Sequence, residues 1–371
     1  MREAVLFTHT RWDEAPRVRH QVARLLRDAG HRVLFLERGD GGWHRADIGV
    51  REAEPGIWVA RPPRPIHPQL RVAAPLRRLD ARIVSRAVAG IVGSWSKRRD
   101  FLVVNFAPDG WWLRGAFPGN RIASIIHDDF EAQSRLPWHG HITWGLERTC
   151  RASDDVLALS EPLVRRLASW CEPRLFLPWT VTPYRAPVAP PGSRDTLLFW
   201  GYVDNAIDLD LVRGLSAHLA RTRPGFRMLF VGPTQTRGAR DRIAAELASL
   251  PNAELLGPRA LDDLPLERTL AALLPYRRSP ALNCVTLANK SMQMLARGLP
   301  LLISAMPAFL RRDFILRLDG EGGFEEALRE VSARFLPLQP AIREFCEANS
   351  PETRLRTLES TGGPGPVGRE G

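Results

Sequence analysis

The sequence has almost no lysine. Of its 52 basic residues only Lys97 and Lys290 are lysines, and the rest are arginines. The four cysteines are scattered, without a CxxC pair or a metal-type spacing, so we expect a reduced cytosolic protein. No stretch reaches the roughly eighteen apolar residues of a membrane span, and the N-terminus enters a strand without the apolar region of a signal peptide.

The marks of a nucleic-acid-binding protein are also lacking. The net charge is +11, but the arginines are spread through predicted helices, with no lysine-rich tail and no nucleic-acid fold motif. We therefore expect no nucleic-acid partner. An anionic membrane surface stays open, because 11 tryptophans include clusters at 111–114 and 137–138 that suit an interface. An ordinary core with arginines at its rim explains any single tryptophan better.

The 371 residues are too many for one core, and the pattern predicts two α/β domains. A strand at 4–8, a helix at 18–29 and a strand at 33–37 form a βαβ unit, and the same alternation resumes at 196. The glycine pattern of a dinucleotide fold is missing after the first strand, which excludes a nicotinamide or flavin site there. We expect a Rossmann-like domain over 1–180, a Pro-rich linker over 181–193, a second such domain over 194–336, bracing helices over 337–360 and a disordered tail over 361–371.

Parallel sheets bind ligands at the carboxyl ends of their strands. Gly201, Gly232 and Gly257 each follow a predicted strand of the second domain. Glycine there lets a nucleotide approach the backbone, or it merely makes a tight turn. We expect the two sheets to face a cleft that holds the ligand.

The stretch NKSMQMLARGLP at 289–300 predicts a short helix with a glycine C-cap, and the apolar run at 301–304 after it predicts a buried strand. Lys290 lies in the first helical turn, where the helix dipole disfavours a cation. A bound anion would explain it, since lysine binds phosphate as a point charge. A solvated lysine at a frayed helix start explains it equally well.

Several motifs, each weak alone, follow one another in a fairly specific order. They resemble the twin-Rossmann (GT-B) glycosyltransferases, especially the family 4-like and xanthan-glucuronosyltransferase-like members, over most of the chain. The motifs are APRVRH (15–20), SIIHDDF (124–130), ASDDVLALS (152–160), FWGY (199–202), IDLDL (207–211), FVGP (230–233), LPY (274–276) and the helix at 289–300.

Two departures from the family bear on the donor. Many members carry a ribose-binding glutamate where Gln293 stands, although the xanthan-type enzymes also have glutamine. The Arg/Lys pair that many members place after the strand ending at Gly201 is missing, because Asp204 and Asn205 follow instead. More of the diphosphate binding then falls to Lys290.

The resemblance implies transfer of a sugar from a nucleotide-diphosphate donor, for which we expect a UDP-sugar, with no metal and no resident cofactor. The departing diphosphate needs stabilised charge, and an inverting reaction needs a base. For the first role we name Lys290 with the backbone amides of Asn289 to Ser291. Tyr276, Gln293, Gly201 and Gly232 complete the nucleotide contacts, unless Tyr276 belongs to the core and Gln293 to the surface.

For the base the resemblance implies Asp128, with Asp129 as the close competitor. Adjacent carboxylates after a strand can equally be a helix cap. His127 could share the proton or be purely structural. Arg17, Arg19 and His20 would face an acceptor phosphate on the N-terminal, acceptor-side domain.

The expected protein is a cytoplasmic glycosyltransferase, peripheral on the inner face of the membrane, acting on a glycan or polyprenyl-linked precursor in polysaccharide biosynthesis. An inactive relative that serves as a binding or scaffold subunit is the alternative. An epimerase or hydrolase on the same fold would need further carboxylates and histidines that the motifs do not supply.

Overall fold

The computed structural model describes residues 2–14, 16–37, 47–63, 66, 71–134, 139–188, 194–234, 239–319 and 323–360. The chain divides into two compact units, residues 1–177 with 352–371, and residues 178–351. The predicted tail at 361–371, the linker residues 189–193 and the cluster at 137–138 lie outside the described residues.

The first unit contains an eight-stranded sheet. Its strands are β1 (Arg2–Phe7), β2 (His31–Leu36), β3 (Asp47–Glu54), β4 (Ile57–Arg61), β5 (Leu102–Asn105), β6 (Ile122–Ile126), β7 (Asp155–Ala158) and β8 (Pro173–Leu175). The order across the sheet is β3-β4-β2-β1-β5-β6-β7-β8, and only the β3–β4 pair is antiparallel. The alternation of strands and helices along the sequence does not predict this antiparallel pair at the sheet edge.

In the described part of residues 1–177, the α-helices are α1 (Val18–Asp28), α2 (Ala74–Trp95), α3 (Leu113–Ala116), α4 (Gly140–Ala152) and α5 (Glu161–Leu167). The apolar residues of α1 recur every three to four positions and are buried, and Gly30 ends the helix with φ +87°. Side chains of β1, β5 and α2, among them Phe7, Val103 and Val88, form one core layer.

The second unit contains a fully parallel six-stranded sheet, as the repeated alternation predicts. Its strands are β9 (Thr196–Trp200), β10 (Arg227–Val231), β11 (Ala253–Leu256), β12 (Thr269–Leu274), β13 (Leu301–Ile303) and β14 (Ile315–Arg317), in the order β11-β10-β9-β12-β13-β14. Its described helices are α6 (Leu209–Thr222), α7 (Ala239–Ala248), α8 (Asn289–Leu295), α9 (Gly323–Arg334) and α10 (Gln339–Ala348).

Helices cover both faces of this second sheet. Phe199 and Phe230 pack towards α6, whereas Leu198 and Val231 belong to the cluster that includes Met292 of α8. Burial on both faces explains why the strands read as continuous apolar runs. The fold class is therefore confirmed: an α/β chain with two Rossmann-like units.

Hydrogen bonds show to which unit the predicted linker and the last helix belong. The N–H of Arg185 donates to Ala296 at 2.8 Å, within the second unit. The last helix, α11 (Pro351–Glu359), belongs to the first unit except for Pro351. Arg121 holds it there by donating to the carbonyls of Leu358 and Glu359 at 2.9 and 3.0 Å.

Candidate functional site

The ends of β9 and β10 touch each other through two glycines in the second unit. Gly201 and Gly232 have φ of +149° and +146°, a region that favours glycine. A Cβ on Gly232 would lie 1.9 Å from the carbonyl oxygen of Gly201, so no other residue fits without a backbone shift. Because these strands are adjacent and parallel, bare backbone is presented at the sheet edge where ligands bind. Gly257, after β11, has no such constraint.

Lys290 joins this edge from the first turn of α8. A Cβ on Gly201 would lie 2.6 Å from its Nζ. The ammonium is 3.9 Å from the ring centroid of Phe199 and 5.1 Å from that of Tyr276. The structure therefore brings together Lys290, Gly201, Gly232 and Tyr276, as the sequence predicts for the donor site. The helix carrying Lys290 also ends as predicted, with Gly298 at φ +71°.

The surroundings of Lys290 offset its positive charge only in part. Burial lowers its pKa to about 7, and the carboxylate of Asp204 opposes that shift only in part. Among the residues that the structure describes, none forms an ion pair with Lys290 within 4.0 Å. Asp204 instead accepts the N–H of Ala206 at 2.9 Å. Stacking on Phe199 offsets some of the desolvation cost, and a bound anion would offset more.

Tyr276 forms one wall of this site. Burial raises the pKa of its phenol, and Asp204 adds to the effect. Its carbonyl accepts the hydroxyl of Ser304 at 2.9 Å, which fixes the backbone after β12. Tyr276 is thus a neutral ring that packs against the lysine.

Asn289 and Ser291 flank Lys290 on α8. The Oδ1 of Asn289 and the Oγ of Ser291 are buried without a hydrogen-bond partner in the described structure. The N–H of Ser291 donates to Ala288 at 2.9 Å, so the helical turn itself uses that amide. That the backbone amides of Asn289 to Ser291 hold the diphosphate stays a prediction, with the Ser291 amide already bonded inside its helical turn.

The side-chain amide of Gln293 forms hydrogen bonds with the backbone of residues 179 and 181. Its Nε2 donates to the carbonyl of Trp179, and its Oε1 accepts the N–H of Val181, both at 3.3 Å. These hydrogen bonds hold the segment at 179–181, near the start of the second unit, against α8. A ribose contact by Gln293 stays a prediction, and the structure gives this side chain a second, structural use.

The predicted acidic motif follows β6 in the first unit. Burial, reinforced by the nearby Arg19, holds the pKa of His127 well below its usual range, so the ring is neutral. Its Nε2 contacts Nη2 of Arg19, which can only donate, so the proton lies on Nδ1. The Oδ2 of Asp128 is 3.2 Å from that same Nε2. His127 therefore does not donate a proton to Asp128.

The two adjacent carboxylates have different surroundings. Asp129 pairs with Arg166 at 2.7 Å and accepts the N–H of Ala132 at 3.1 Å, so it is committed to the fold. The side chain of Asp128 is 36% exposed. Partial desolvation raises its pKa, while Arg19 and a hydrogen bond from Gln133 oppose the shift. Asp128 is the better placed of the two to accept a proton.

The three predicted acceptor-side residues of α1 also differ. Arg19 is buried, donates to Thr10 at 2.8 Å, and has its pKa lowered to about 10 by burial. His20 is buried too: its Nδ1 accepts the N–H of Arg17, and its Nε2 donates to the carbonyl of Arg11. The expectation that His20 faces an acceptor is wrong, because its ring caps the helix. Arg17 is 47% exposed and pairs with Glu14 at 3.4 Å.

A histidine–carboxylate pair that the motifs do not predict lies at the carboxyl ends of strands in the first sheet. His9 follows β1 and Asp109 follows β5, and the His9 Nε2 lies 3.6 Å from the Asp109 Oδ1. Arg71 contacts Asp109 and pairs with Asp80 at 3.1 Å. The rule that parallel strands present ligand-binding residues at their carboxyl ends could have found both His9 and Asp109.

The described part of the chain contains neither a metal-type cluster nor a helix that could span a membrane. In the described ranges no group of three or more His, Cys, Asp or Glu side chains could hold a metal ion. Within the same ranges, no helix is both long and apolar enough to cross a membrane.

Comparisons with known proteins establish the fold. No family model and no curated protein matches the chain. The structure is similar to sucrose-phosphate synthase from Thermosynechococcus elongatus, with 16% identity, 96% of each chain covered and a TM-score of 0.69. It is also similar to WaaG, a glycosyltransferase involved in lipopolysaccharide biosynthesis (13% identity, 96% of this chain and all of that one, TM-score 0.62).

A third similar structure is the trehalose-6-phosphate protein from E. coli bound with UDP-2-fluoro glucose, with 12% identity, 96% and 99% of the two chains covered and a TM-score of 0.63. Likeness over nearly whole chains at such low identity shows the shared fold. The two Rossmann-like units of this chain thus have the GT-B architecture that its motifs predict.

Proposed function

We propose that this protein is a glycosyltransferase that moves a sugar from a nucleotide-diphosphate donor, a UDP-sugar, to a hydroxyl of a lipid-linked or polysaccharide precursor. One observation carries the proposal. A desolvated lysine with no described ion-pair partner lies against two strand-end glycines, where a diphosphate could approach the backbone. An anion is the ligand that such an ammonium favours.

The similar structures support the donor class. One of them holds UDP-2-fluoro glucose, and another is named as a glycosyltransferase of lipopolysaccharide biosynthesis. By analogy of fold we extend the nucleotide-sugar donor and a glycan or polyprenyl-linked acceptor to this chain. The proposal includes no resident cofactor and no metal, and it sets the enzyme in the cytoplasm at the inner face of the membrane.

The proposed roles follow from the chemistry. The bond between the sugar C1 and the diphosphate oxygen breaks, and its electron pair leaves with the diphosphate. Lys290 stabilises that charge. On the inverting course that the family resemblance implies, the acceptor oxygen bonds to C1 and Asp128 takes its proton. Burial raises the pKa of Asp128, and Arg19 beside it opposes that rise and so favours the ionised carboxylate.

An inactive binding protein is the second candidate, and two observations favour it. Gln293 is tied to the backbone, and Asp204 lies where many family members have cations. Such a protein would bind the nucleotide without releasing it from the sugar.

Calorimetric titration with UDP, GDP and UDP-glucose tests the donor site. We expect one nucleotide to bind and Lys290→Ala to weaken its binding by about 2 kcal/mol or more. Lys97→Ala is the matched control, because Lys97 is the only other lysine and is exposed. No binding by any nucleotide would overturn the proposal. Binding without UDP release from a UDP-sugar, across a panel of acceptors, would leave the inactive candidate.

A further inference from the structure

Two of the four cysteines come together at one edge of the first sheet. Cys150 is in the last turn of α4, just before β7, and Cys171 lies between α5 and β8. The strands β7 and β8 are adjacent and parallel, with Val156 opposite Pro173. Both cysteines therefore lead into the amino ends of neighbouring strands. This edge is opposite to the carboxyl end of β6, which Asp128 follows.

The thiols of these two cysteines contact each other. The S–H of Cys150 donates a hydrogen bond to the sulfur of Cys171, and both cysteines are free thiols in the structure. The backbone N–H of Cys171 donates to the carbonyl of Leu167 at 3.2 Å, and its Sγ lies 3.6 Å from the same oxygen. The turn after α5 thus fixes the position of Cys171 beside Cys150.

The surroundings of the two thiols differ, which gives the thiols different reactivity. Cys150 is 1% exposed, whereas Cys171 is partly exposed. The hydrogen bond to Cys171, together with burial, raises the pKa of Cys150, so this thiol keeps its proton. The same hydrogen bond and the charge of Arg151 lower the pKa of Cys171, against the effect of its partial burial. An accessible thiolate beside a cation is the form of cysteine that reacts with oxidants.

We propose that Cys171 and Cys150 form a redox pair, in which a small hydroperoxide oxidises Cys171 and Cys150 then closes a reversible disulfide with it. An accessible, activated thiol beside a second, protected thiol is the arrangement of a redox sensor with its resolving cysteine. In a reducing compartment such a disulfide is transient. The inference goes beyond the proposed function and does not depend on it, because thiol oxidation requires neither a nucleotide sugar nor an acceptor.

The proposed chemistry has two steps. In the first, the Cys171 sulfur attacks one peroxide oxygen, the O–O bond breaks, and the departing hydroxide takes a proton from solvent and leaves as water. Cys171 is then a sulfenic acid, and the peroxide has been reduced. In the second step the Cys150 sulfur attacks the Cys171 sulfur, the S–O bond breaks, and the hydroxide leaves as water with the Cys150 proton. Two thiols and one peroxide thus give one disulfide and two waters.

Mass spectrometry of the full-length protein after mild oxidation tests the proposal. The protein is reduced, freed of reductant, treated with a small molar excess of hydrogen peroxide and alkylated. We expect two of the four cysteines to escape alkylation, and non-reducing peptide mapping to join Cys150 with Cys171. Dithiothreitol should restore both thiols. A disulfide between other cysteines or between two chains, or no disulfide at all, would overturn the proposal.

Single variants separate the two steps. Cys150→Ser should leave Cys171 as a sulfenic acid, which dimedone traps. Cys150→Ala repeats this experiment without a buried hydroxyl, in case the serine variant does not fold. Cys171→Ser should leave Cys150 unoxidised, because that thiol is buried. If Cys150 is oxidised in Cys171→Ser as fast as in the wild type, Cys171 is not the thiol that meets the peroxide, and the proposal fails.

Matched controls come from the other cysteines and from a second arginine. Cys284→Ser with Cys346→Ser should form the same disulfide as the wild type. Cys284 is also partly exposed, so its alkylation by iodoacetamide at neutral pH gives a reference rate, and Cys171 should react several times faster. Arg151→Gln should slow the alkylation of Cys171, whereas Arg165→Gln, at another exposed arginine, should not. Equal rates for Cys171 and Cys284 would show that access alone governs the reaction and would contradict an activated thiol.

Discussion

Replacing Lys290 by methionine should make the protein more stable and a weaker binder of its donor. Methionine keeps the length of the side chain but removes the charge that Phe199 and Tyr276 surround. In the folded protein the pKa of Lys290 falls to about 7 from its ordinary 10.5. The unfolded chain therefore holds the proton more tightly, and folding carries a cost wherever the lysine is charged.

The size of that cost depends on pH in a definite direction. Each tenfold change in proton affinity corresponds to about 1.36 kcal/mol, so the cost is at most about 4 kcal/mol near pH 7 and about 2 kcal/mol near pH 9. It disappears above the pKa of the unfolded lysine. Wild-type stability should consequently gain about 2 kcal/mol from this residue between those two pH values, and Lys290→Met should not.

Urea unfolding followed by tryptophan fluorescence measures this difference, since urea carries no charge that would screen the site. The stability advantage of Lys290→Met over the wild type should shrink from about pH 7 to about pH 9. Lys97→Met, at the exposed second lysine, should show no such trend. A Lys290→Met variant that is less stable than the wild type at neutral pH, or equally altered at both pH values, would refute the reasoning.

Donor binding should change in the opposite sense. Removing the ammonium should weaken UDP binding about 30-fold or more, the equivalent of about 2 kcal/mol. Wild-type affinity should itself fall as pH rises above about 7, by up to about tenfold per pH unit, because the lysine loses its proton. Calorimetry across that range would show both effects. A variant that binds UDP like the wild type would contradict a phosphate contact at Lys290.

Three further predictions concern Gly232, the two aspartates after β6, and Arg19. Gly232→Ala should destabilise the protein by more than about 2 kcal/mol in urea unfolding, because its Cβ would overlap the carbonyl oxygen of Gly201. Asp128→Asn should lower turnover at least about 100-fold in a UDP-release assay and spare UDP binding, whereas Asp129→Asn should chiefly lower stability, by about 1–3 kcal/mol. Arg19→Gln should move the acidic limb of the kcat/KM profile to higher pH, because Arg19 lowers the pKa of the Asp128 carboxyl and the base must be ionised.

Controls for these variants lie nearby in the chain. Gly257→Ala, at a strand end with open space around the Cβ position, should leave stability nearly unchanged. If Asp128→Asn stays active and His9→Asn does not, the base is His9, whose ring is next to Asp109. An acidic limb that shifts to lower pH in Arg19→Gln would show that the limb does not report Asp128.

Much of the fold could be predicted because its signals are local. Buried parallel strands read as apolar runs, and a glycine C-cap such as Gly298 marks a helix end in one residue. The cluster around Lys290 could be predicted equally well. Strand ends meet at one sheet edge, so Gly201, Gly232 and Tyr276 were expected there, and the order β10-β9-β12 makes them neighbours.

What the sequence could not show depends on contacts between distant residues. The strand-end rule places His9 and Asp109 at one sheet edge, but their 3.6 Å contact joins residues a hundred positions apart and only the structure shows it. The ring of His20 lies on an amphipathic helix, but only the packed structure reveals that both nitrogens bond to backbone. Gln293 likewise meets Trp179 through tertiary packing. The antiparallel edge strand β3 was missed because its sequence, DIGVREAE, lacks the apolar run typical of the parallel sheet.

We propose that a nucleotide diphosphate binds in the second unit against Lys290. A crystal structure of the protein with UDP would show this contact. We expect phosphate oxygens within hydrogen-bond distance of the Lys290 Nζ, above the backbone of Gly201 and Gly232. A nucleotide bound elsewhere, with Lys290 still unpaired, would contradict it.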